Sequence, residues 1–321
     1  LKLKAGNTKK YGIPYQGSKS KIIDQIAKYF PPAENFYDLF GGGFSVSHYM
    51  LENRKKSYKN FHYNELRKGL CELIQNSING KYNYNVFKPE WISRERFIKE
   101  KESNAYIKII WSFGNNGENY LFGKDIEDKK RSMHMACVFD EFDDFMKQTF
   151  KIDKWPNSLD ITGKRLYLKR LINSRVELER LQRLQQLQQL EQLERLQQLQ
   201  QLQQLQQLQQ LQQLHFYNNS YDEIKIEKNS VIYCDIPYKG TADYGNTFSH
   251  TKFFDWAASQ TEPLFISEYK VDDERFFLLK EFKHRSTFSS GGCKNIPVTE
   301  RLYGNKIAYD IIEKYKKDKH G

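Results

Sequence analysis

Apolar positions along the chain gather into short dense runs separated by polar turns, the pattern of buried strands alternating with helices. The run over 231–234 is dense enough to be buried on both faces of a sheet, and 36–39 and 58–63 read as further strands. Helical spacing predicts a helix over 20–29, entered from the loop Tyr11-Gly12-Ile13-Pro14-Tyr15-Gln16-Gly17-Ser18-Lys19, and another starting at Phe254. Between Gly80 and Gly163 the periodicity loosens into tyrosines, tryptophans, lysines, asparagines and glycines. The segment 111–123 reads there as a run of turns.

From Leu181 to Leu214 leucine recurs every third residue, twelve times, with Gln, Glu or Arg between. Three residues advance an α-helix by roughly 300°, so successive leucines drift by about 60° and hold no lasting apolar stripe. The tract lacks the seven-residue repeat of a coiled coil. Helix and short-repeat solenoid both fit it. Its simplest reading is a tolerated repeat expansion on a surface connection, with a partner-binding role as the alternative.

A chain of 321 residues exceeds the usual single domain, so a core plus an inserted module is expected. A formal charge of +11 with 15% aromatic residues suits a polyanion whose bases stack on rings, which makes nucleic acid the leading partner. Cys71, Cys137, Cys234 and Cys293 are scattered, which indicates neither a disulfide framework nor a metal site and suits a reducing, cytoplasmic setting. No apolar run is long enough for a membrane span.

The strands at 36–39 and 231–234 both end in groups capable of chemistry. The later one runs into Asp235-Ile236-Pro237-Tyr238 and the earlier one into Phe40-Gly41-Gly42-Gly43-Phe44. An Asp-x-Pro turn closes many ordinary strands, but two such ends can face one crevice of an open parallel sheet. Together, and in this order, the two motifs resemble those of the DNA adenine-N6 methyltransferases of the Dam-like subgroup. That family reads Asp-Pro-Pro-Tyr and Phe-x-Gly-x-Gly at these places, so Ile236 and Phe44 are departures from it.

The resemblance implies an α/β, Rossmann-like methyltransferase sheet with helices on both faces. Its halves are 1–80 and 215–321, separated by a target-recognition segment, 81–178, and the repeat tract, 179–214. It implies S-adenosylmethionine as cofactor, held by Tyr15, Gly17, Lys19, Asp38, Phe40, Gly41, Gly42, Gly43, Glu65 and Asp235. In this reading Asp38 pairs with the cofactor's amino group and Glu65 accepts from its ribose. Catalysis falls to Asp235, Ile236, Pro237 and Tyr238, without a metal: the Asp235 carboxylate and the Ile236 carbonyl each accept one N6 hydrogen, and Tyr238 stacks on an extruded adenine. Asn115, Asn116, Lys129, Lys130, Arg131, Tyr244 and His250 are the candidate contacts to double-stranded DNA. A monomer, acting with or without a cognate restriction endonuclease, is expected. The same chemistry on RNA, or an inactive DNA-binding scaffold, are the alternatives.

Overall fold

The computed structural model describes residues 10–179, 194–208, 213–238, 248–285 and 297–320. Tyr244, Cys293 and the repeat leucines 181–193 lie outside them. By its internal contacts the chain divides into two compact units. Leu1–Ile13, Gly17–Cys71 and Gln210–Gly321 form the first; Pro14–Gln16 and Glu72–Gln209 form the second.

The first unit is built on one seven-stranded sheet. In chain order its strands are β1 (Asn35–Asp38), β2 (Asn60–Asn64), β3 (Leu214–Tyr217), β4 (Ser230–Asp235), β5 (Leu264–Glu268), β6 (Phe277–Arg285) and β7 (Pro297–Gly304). Their spatial order is β3-β2-β1-β4-β5-β7-β6. The first five are parallel, and β7 pairs antiparallel with both β5 and β6. This is an α/β methyltransferase-like sheet.

Every residue of β1 is buried, as are the first five of β4, because layers of side chains cover both faces. On one side Phe30 packs against Phe36, Tyr233 and Phe265 at centroid distances of 5.4, 5.4 and 5.1 Å. On the other, Tyr37, Ile232, Cys234 and Ile266 meet Phe253 and Ala257 of the helix His250–Ala258. That helix begins four residues before Phe254, because the Ser249 side chain accepts the Lys252 N–H and caps it. The helix expected over 20–29 is instead three short turns, Lys19–Lys21, Ile23–Ile26 and Ala27–Tyr29. Ser20 Oγ is tied back to the Tyr11 main chain at its start, accepting from the N–H at 2.7 Å and donating to the carbonyl at 2.8 Å.

The second unit is mainly helical among its described residues, although the apolar periodicity of the sequence loosens between Gly80 and Gly163. Arg94–Glu100 and Ala105–Ile110 are capped by the side chains of Ser93 and Asn104. Glu127–Phe139 and Ile161–Glu179 follow. Trp111, wholly buried, anchors an aromatic core with Trp91 and Tyr120.

The described part of the repeat tract is structural in this unit, which corrects its reading as an idle surface connection. Glu194–Gln204 is α-helical and Leu205–Leu208 tightens to a 3-10 turn. Three residues per turn is the helical geometry in which a three-residue repeat keeps one side. Leu199, Leu202 and Leu205 are wholly buried and Leu208 nearly so. The glutamines between are also engaged: Gln200 Nε2 donates to Thr162 Oγ1 (2.6 Å), Gln203 Nε2 to the Tyr82 carbonyl (2.9 Å), and Asn83 Nδ2 to Gln206 Oε1 (2.9 Å). The last repeat leucine, Leu214, is already in β3, opposite Phe61. Leu202→Ala is therefore expected to cost about 2–5 kcal/mol, read as a lower denaturant midpoint. An idle tract would show no shift.

Candidate active site

The carboxyl ends of β1 and β4 are neighbours where the strand order reverses, the place where an open parallel sheet leaves a crevice for ligands. Residues paired in register share a side of the sheet, and so do residues two apart on one strand. Asp38 is paired with Tyr233, so Asp38 and Asp235 share a side. Ser267, paired with Asp235, shares it, and so does Glu300, two residues before Leu302, the antiparallel partner of Ser267. Three acids on different strands thus look toward one region.

The glycine turn after β1 is held by its main chain. Gly41 N–H donates to the Asn64 carbonyl, Phe44 N–H to the Gly41 carbonyl, and Ile13 N–H to the Gly43 carbonyl. A Cβ on Gly41 would stand 2.1 Å from the ring of Tyr63, whose hydroxyl donates to the Gly42 carbonyl at 2.7 Å. Gly41→Ala should therefore push Tyr63 off that carbonyl and cost about 1–3 kcal/mol, seen as a lower melting temperature. Phe44, where the related pattern has glycine, sits at φ 67° and is wholly buried against Tyr63 and Phe216. The left-handed backbone costs on the order of 1–2 kcal/mol, which burial of the ring offsets.

Asp38 is 1% exposed. Its Oδ2 accepts from Ser47 N–H (3.2 Å) and Ser47 Oγ (2.6 Å), in the first turn of the helix Ser45–Asn53, while its Oδ1 is buried with no partner. Burial pushes its carboxyl up to about 7, against the Ser47 hydrogen bonds, with Asp235 and Glu65 adding to the rise. A buried, half-satisfied carboxylate at the end of a central strand fits a cationic ligand group.

Lys19 lies across the other acids. Its Nζ is 2.7 Å from Asp235 Oδ2, 2.9 Å from Glu300 Oε1 and 3.2 Å from the Gly17 carbonyl. Burial alone would lower the ammonium's pKa, but Asp235 and Glu300 together raise it above its ordinary value. Asp235 is pushed up to about 6, by burial first and by Glu300, with Lys19 opposing. The ammonium also lies 5.0 Å from the centre of the Tyr238 ring, whose hydroxyl donates to Glu300 Oε1. Ile236 is buried, and His250 Nε2 lies 3.0 Å from the Pro237 carbonyl. A carbonyl only accepts, so His250 donates here and braces the turn after β4.

Lys19, Asp38, the glycine turn, Asp235 and Tyr238 thus all belong to this end of the sheet. Glu65 ties the turn to β2, accepting from Gly42 N–H at 2.9 Å and Arg67 N–H at 2.7 Å. Other candidates stand differently. Tyr15 belongs to Pro14–Gln16, in the second unit. Phe40 packs its ring among Tyr221, Phe248 and Phe253. Asn115 spends its amide internally, donating to the Ile109 carbonyl and accepting from Gln198. Asn116 accepts from the Glu118 N–H. Lys130, expected beside Lys129 and Arg131 as a DNA contact, is 4% exposed, because the helical repeat places it with Met133, His134 and Cys137 on the inner face. Lys129 and Arg131 are exposed.

Sequence reasoning missed Glu300 and Ser47. Glu300 carried one signal, a strand parity shared with the wholly buried Leu302. Ser47 carried another, its place in the first turn of a helix entered from a glycine loop.

Among the described residues no group of His, Cys, Asp and Glu is placed to hold a metal ion, and no helix is long and apolar enough to cross a membrane. Comparison with curated proteins finds no match. Comparison with protein families finds one over residues 15–267, from the loop before Lys19 to Ser267 of β5 and including both strand-end motifs. With that match covering most of the chain, the protein belongs to the D12 class N6 adenine-specific DNA methyltransferases, enzymes that methylate adenine in DNA.

Proposed function

We propose that the chain takes its methyl group from S-adenosylmethionine and delivers it to N6 of an adenine extruded from double-stranded DNA. The observation that carries this reading is the buried, unpartnered Oδ1 of Asp38 beside a glycine turn, one strand away from Asp235. Asp38 would accept from the cofactor's ammonium group. The main chain of Gly41, Gly42 and Gly43 would border it, and Glu65 would accept from its ribose with the lone pairs that Gly42 and Arg67 leave. Bound there, the sulfonium supplies an electrophilic methyl group.

The remaining work belongs to the turn after β4. Adenine's exocyclic nitrogen is a poor nucleophile because its lone pair is delocalised into the ring. Hydrogen bonds from N6 to the Asp235 carboxylate and the Ile236 carbonyl draw that lone pair out of conjugation. The N–C bond forms as the C–S bond breaks, and the extra proton on nitrogen leaves to Asp235 or water. Since Ile236 contributes only its carbonyl, the loss of a proline ring there removes stiffness rather than an acceptor, and the hydrogen bond from His250 to Pro237 supplies bracing. Tyr238 would stack on the extruded base, worth roughly 1–3 kcal/mol against the cost of unstacking. Lys129 and Arg131, exposed in the second unit, would contact phosphates.

Incubation with tritiated S-adenosylmethionine and either duplex DNA or RNA tests the reading. Label in DNA is expected. Label confined to RNA, or none, would overturn it.

A further inference from the structure

Lys19 presents a difficulty for the proposed chemistry, since its ammonium stands 2.7 Å from Asp235 Oδ2, on the carboxylate that must receive an amino hydrogen of the adenine. A buried lysine that gives up a carboxylate needs another partner, because an unpaired buried charge is strongly destabilising. Glu300 is 2.9 Å from the same nitrogen, 5% exposed, and its Oε1 also receives the Tyr238 hydroxyl. It thus touches both the cation that competes for Asp235 and the ring that would stack on the base.

Resting on the methyl-transfer reading above, we propose that Glu300 is a positioning residue of this site: it retains the Lys19 ammonium as Asp235 turns to the adenine, and it fixes the Tyr238 ring by its hydroxyl. Lys19 keeps Glu300 and the Gly17 carbonyl when it yields Asp235, so the exchange leaves no buried charge alone. The two acids share one ammonium, which holds neither exclusively. Without the charge of Glu300, Lys19 and Asp235 would close into a simple one-to-one pair, and Asp235 would be harder to free.

Among the described residues, the charged and titratable groups that act on Asp235 include Lys19, Glu300 and Tyr238, and its charge is felt by Tyr233, Cys234, Asp38 and Tyr269. Glu300 raises the Asp235 pKa and Lys19 lowers it. Removing the negative charge at 300 therefore moves the Asp235 titration to lower pH. Activity needs ionised Asp235, so the acid limb of the pH–rate profile moves the same way.

Glu300→Gln in the full chain is the test, with Glu300→Asp as its conservative counterpart and the wild-type chain as control. Glu300→Gln should lower kcat roughly tenfold to a hundredfold while leaving S-adenosylmethionine affinity near wild type. The acid limb should shift downward, and Glu300→Asp should restore much of both. An unchanged kcat, an unmoved limb, or loss of cofactor affinity in step with kcat would overturn the proposal. Carbon-13 NMR titration of the Asp235 carboxyl reads the same shift without turnover. If the wild-type chain transferred no methyl group, the functional reading would fail by itself, and Glu300 would still be judged by whether that titration moves.

Discussion

Asp235→Ala is expected to reduce methyl transfer by roughly a hundredfold to a thousandfold or more, while cofactor affinity and fold survive. The size follows from removing a preoriented charged acceptor at the atom where positive charge develops. The survival of the fold follows from the arrangement around Lys19. In most buried ion pairs, deleting the acid strands the base, at a cost of about 3–5 kcal/mol. Here Lys19 keeps Glu300 at 2.9 Å and the Gly17 carbonyl at 3.2 Å, so its charge remains compensated. The variant also removes a carboxylate whose ionisation burial opposes. Transfer and unfolding measured on one preparation separate the effects: a large loss of transfer with a near-native melting temperature is expected. Full transfer in the variant would remove Asp235 from the reaction.

Asp38→Asn should act on both stability and binding, in opposite directions. The Asp38 carboxyl is pushed up to about 7 in the folded protein, against an ordinary value of 3.8. Between those limits the folded state holds a proton that the unfolded state releases, so this group makes stability fall as pH rises from about 4 to about 7. A tenfold difference in proton affinity between the two states is worth about 1.4 kcal/mol, so the ionised carboxylate costs a few kcal/mol above pH 7. Asparagine can keep the acceptor that Ser47 uses and lose the charge. The cost of burying its amide hydrogens offsets part of the gain, which leaves about 1–3 kcal/mol. The ligand-free variant should therefore melt higher than wild type at pH 7.5, with the difference shrinking as pH falls and reversing near pH 4, where only the amide cost remains. Cofactor affinity should collapse, because the unpartnered oxygen proposed to accept from the ammonium group can become a donor. Such opposition between stability and function is the usual mark of a ligand site. Calorimetric titration with S-adenosylmethionine checks the binding loss. Unimpaired binding would detach Asp38 from the cofactor.

The sequence made the centre of the sheet readable and left its far edge obscure. β1 announces itself within one residue although Asp38 interrupts its apolar run, and β4 does so by an unbroken one. The hairpin of β6 and β7 does not. β6 is the edge strand, with Leu278 48% exposed, and its pairing shifts register between Leu278 and Lys280. This irregularity near the start of β6 reverses the two-residue alternation, so no consistent period survives to be read. Glu300 was lost with that hairpin, although it completes the Lys19 network.

The helices of the second unit were hidden for a different reason. Arg94–Glu100 and Ala105–Ile110 fall short of two full turns, too short for the apolar period to repeat, and their clearest marks are the capping side chains of Ser93 and Asn104. In the repeat tract the drift of the leucines held the wrong lesson. It excludes one long straight stripe, but a short α segment ending in a 3-10 turn buries four leucines in succession. Lys130 shows the same limit at the scale of one residue, since a basic tripeptide reads as surface until the helix phase is known.

The most direct measurement is nucleoside analysis of duplex DNA after exposure to the chain and isotopically labelled S-adenosylmethionine. The geometry at Asp235 predicts that all transferred label is recovered as N6-methyldeoxyadenosine and that Asp235→Ala lowers that label by roughly a hundredfold or more. Label on cytosine, or equal labelling by wild type and variant, would contradict the account.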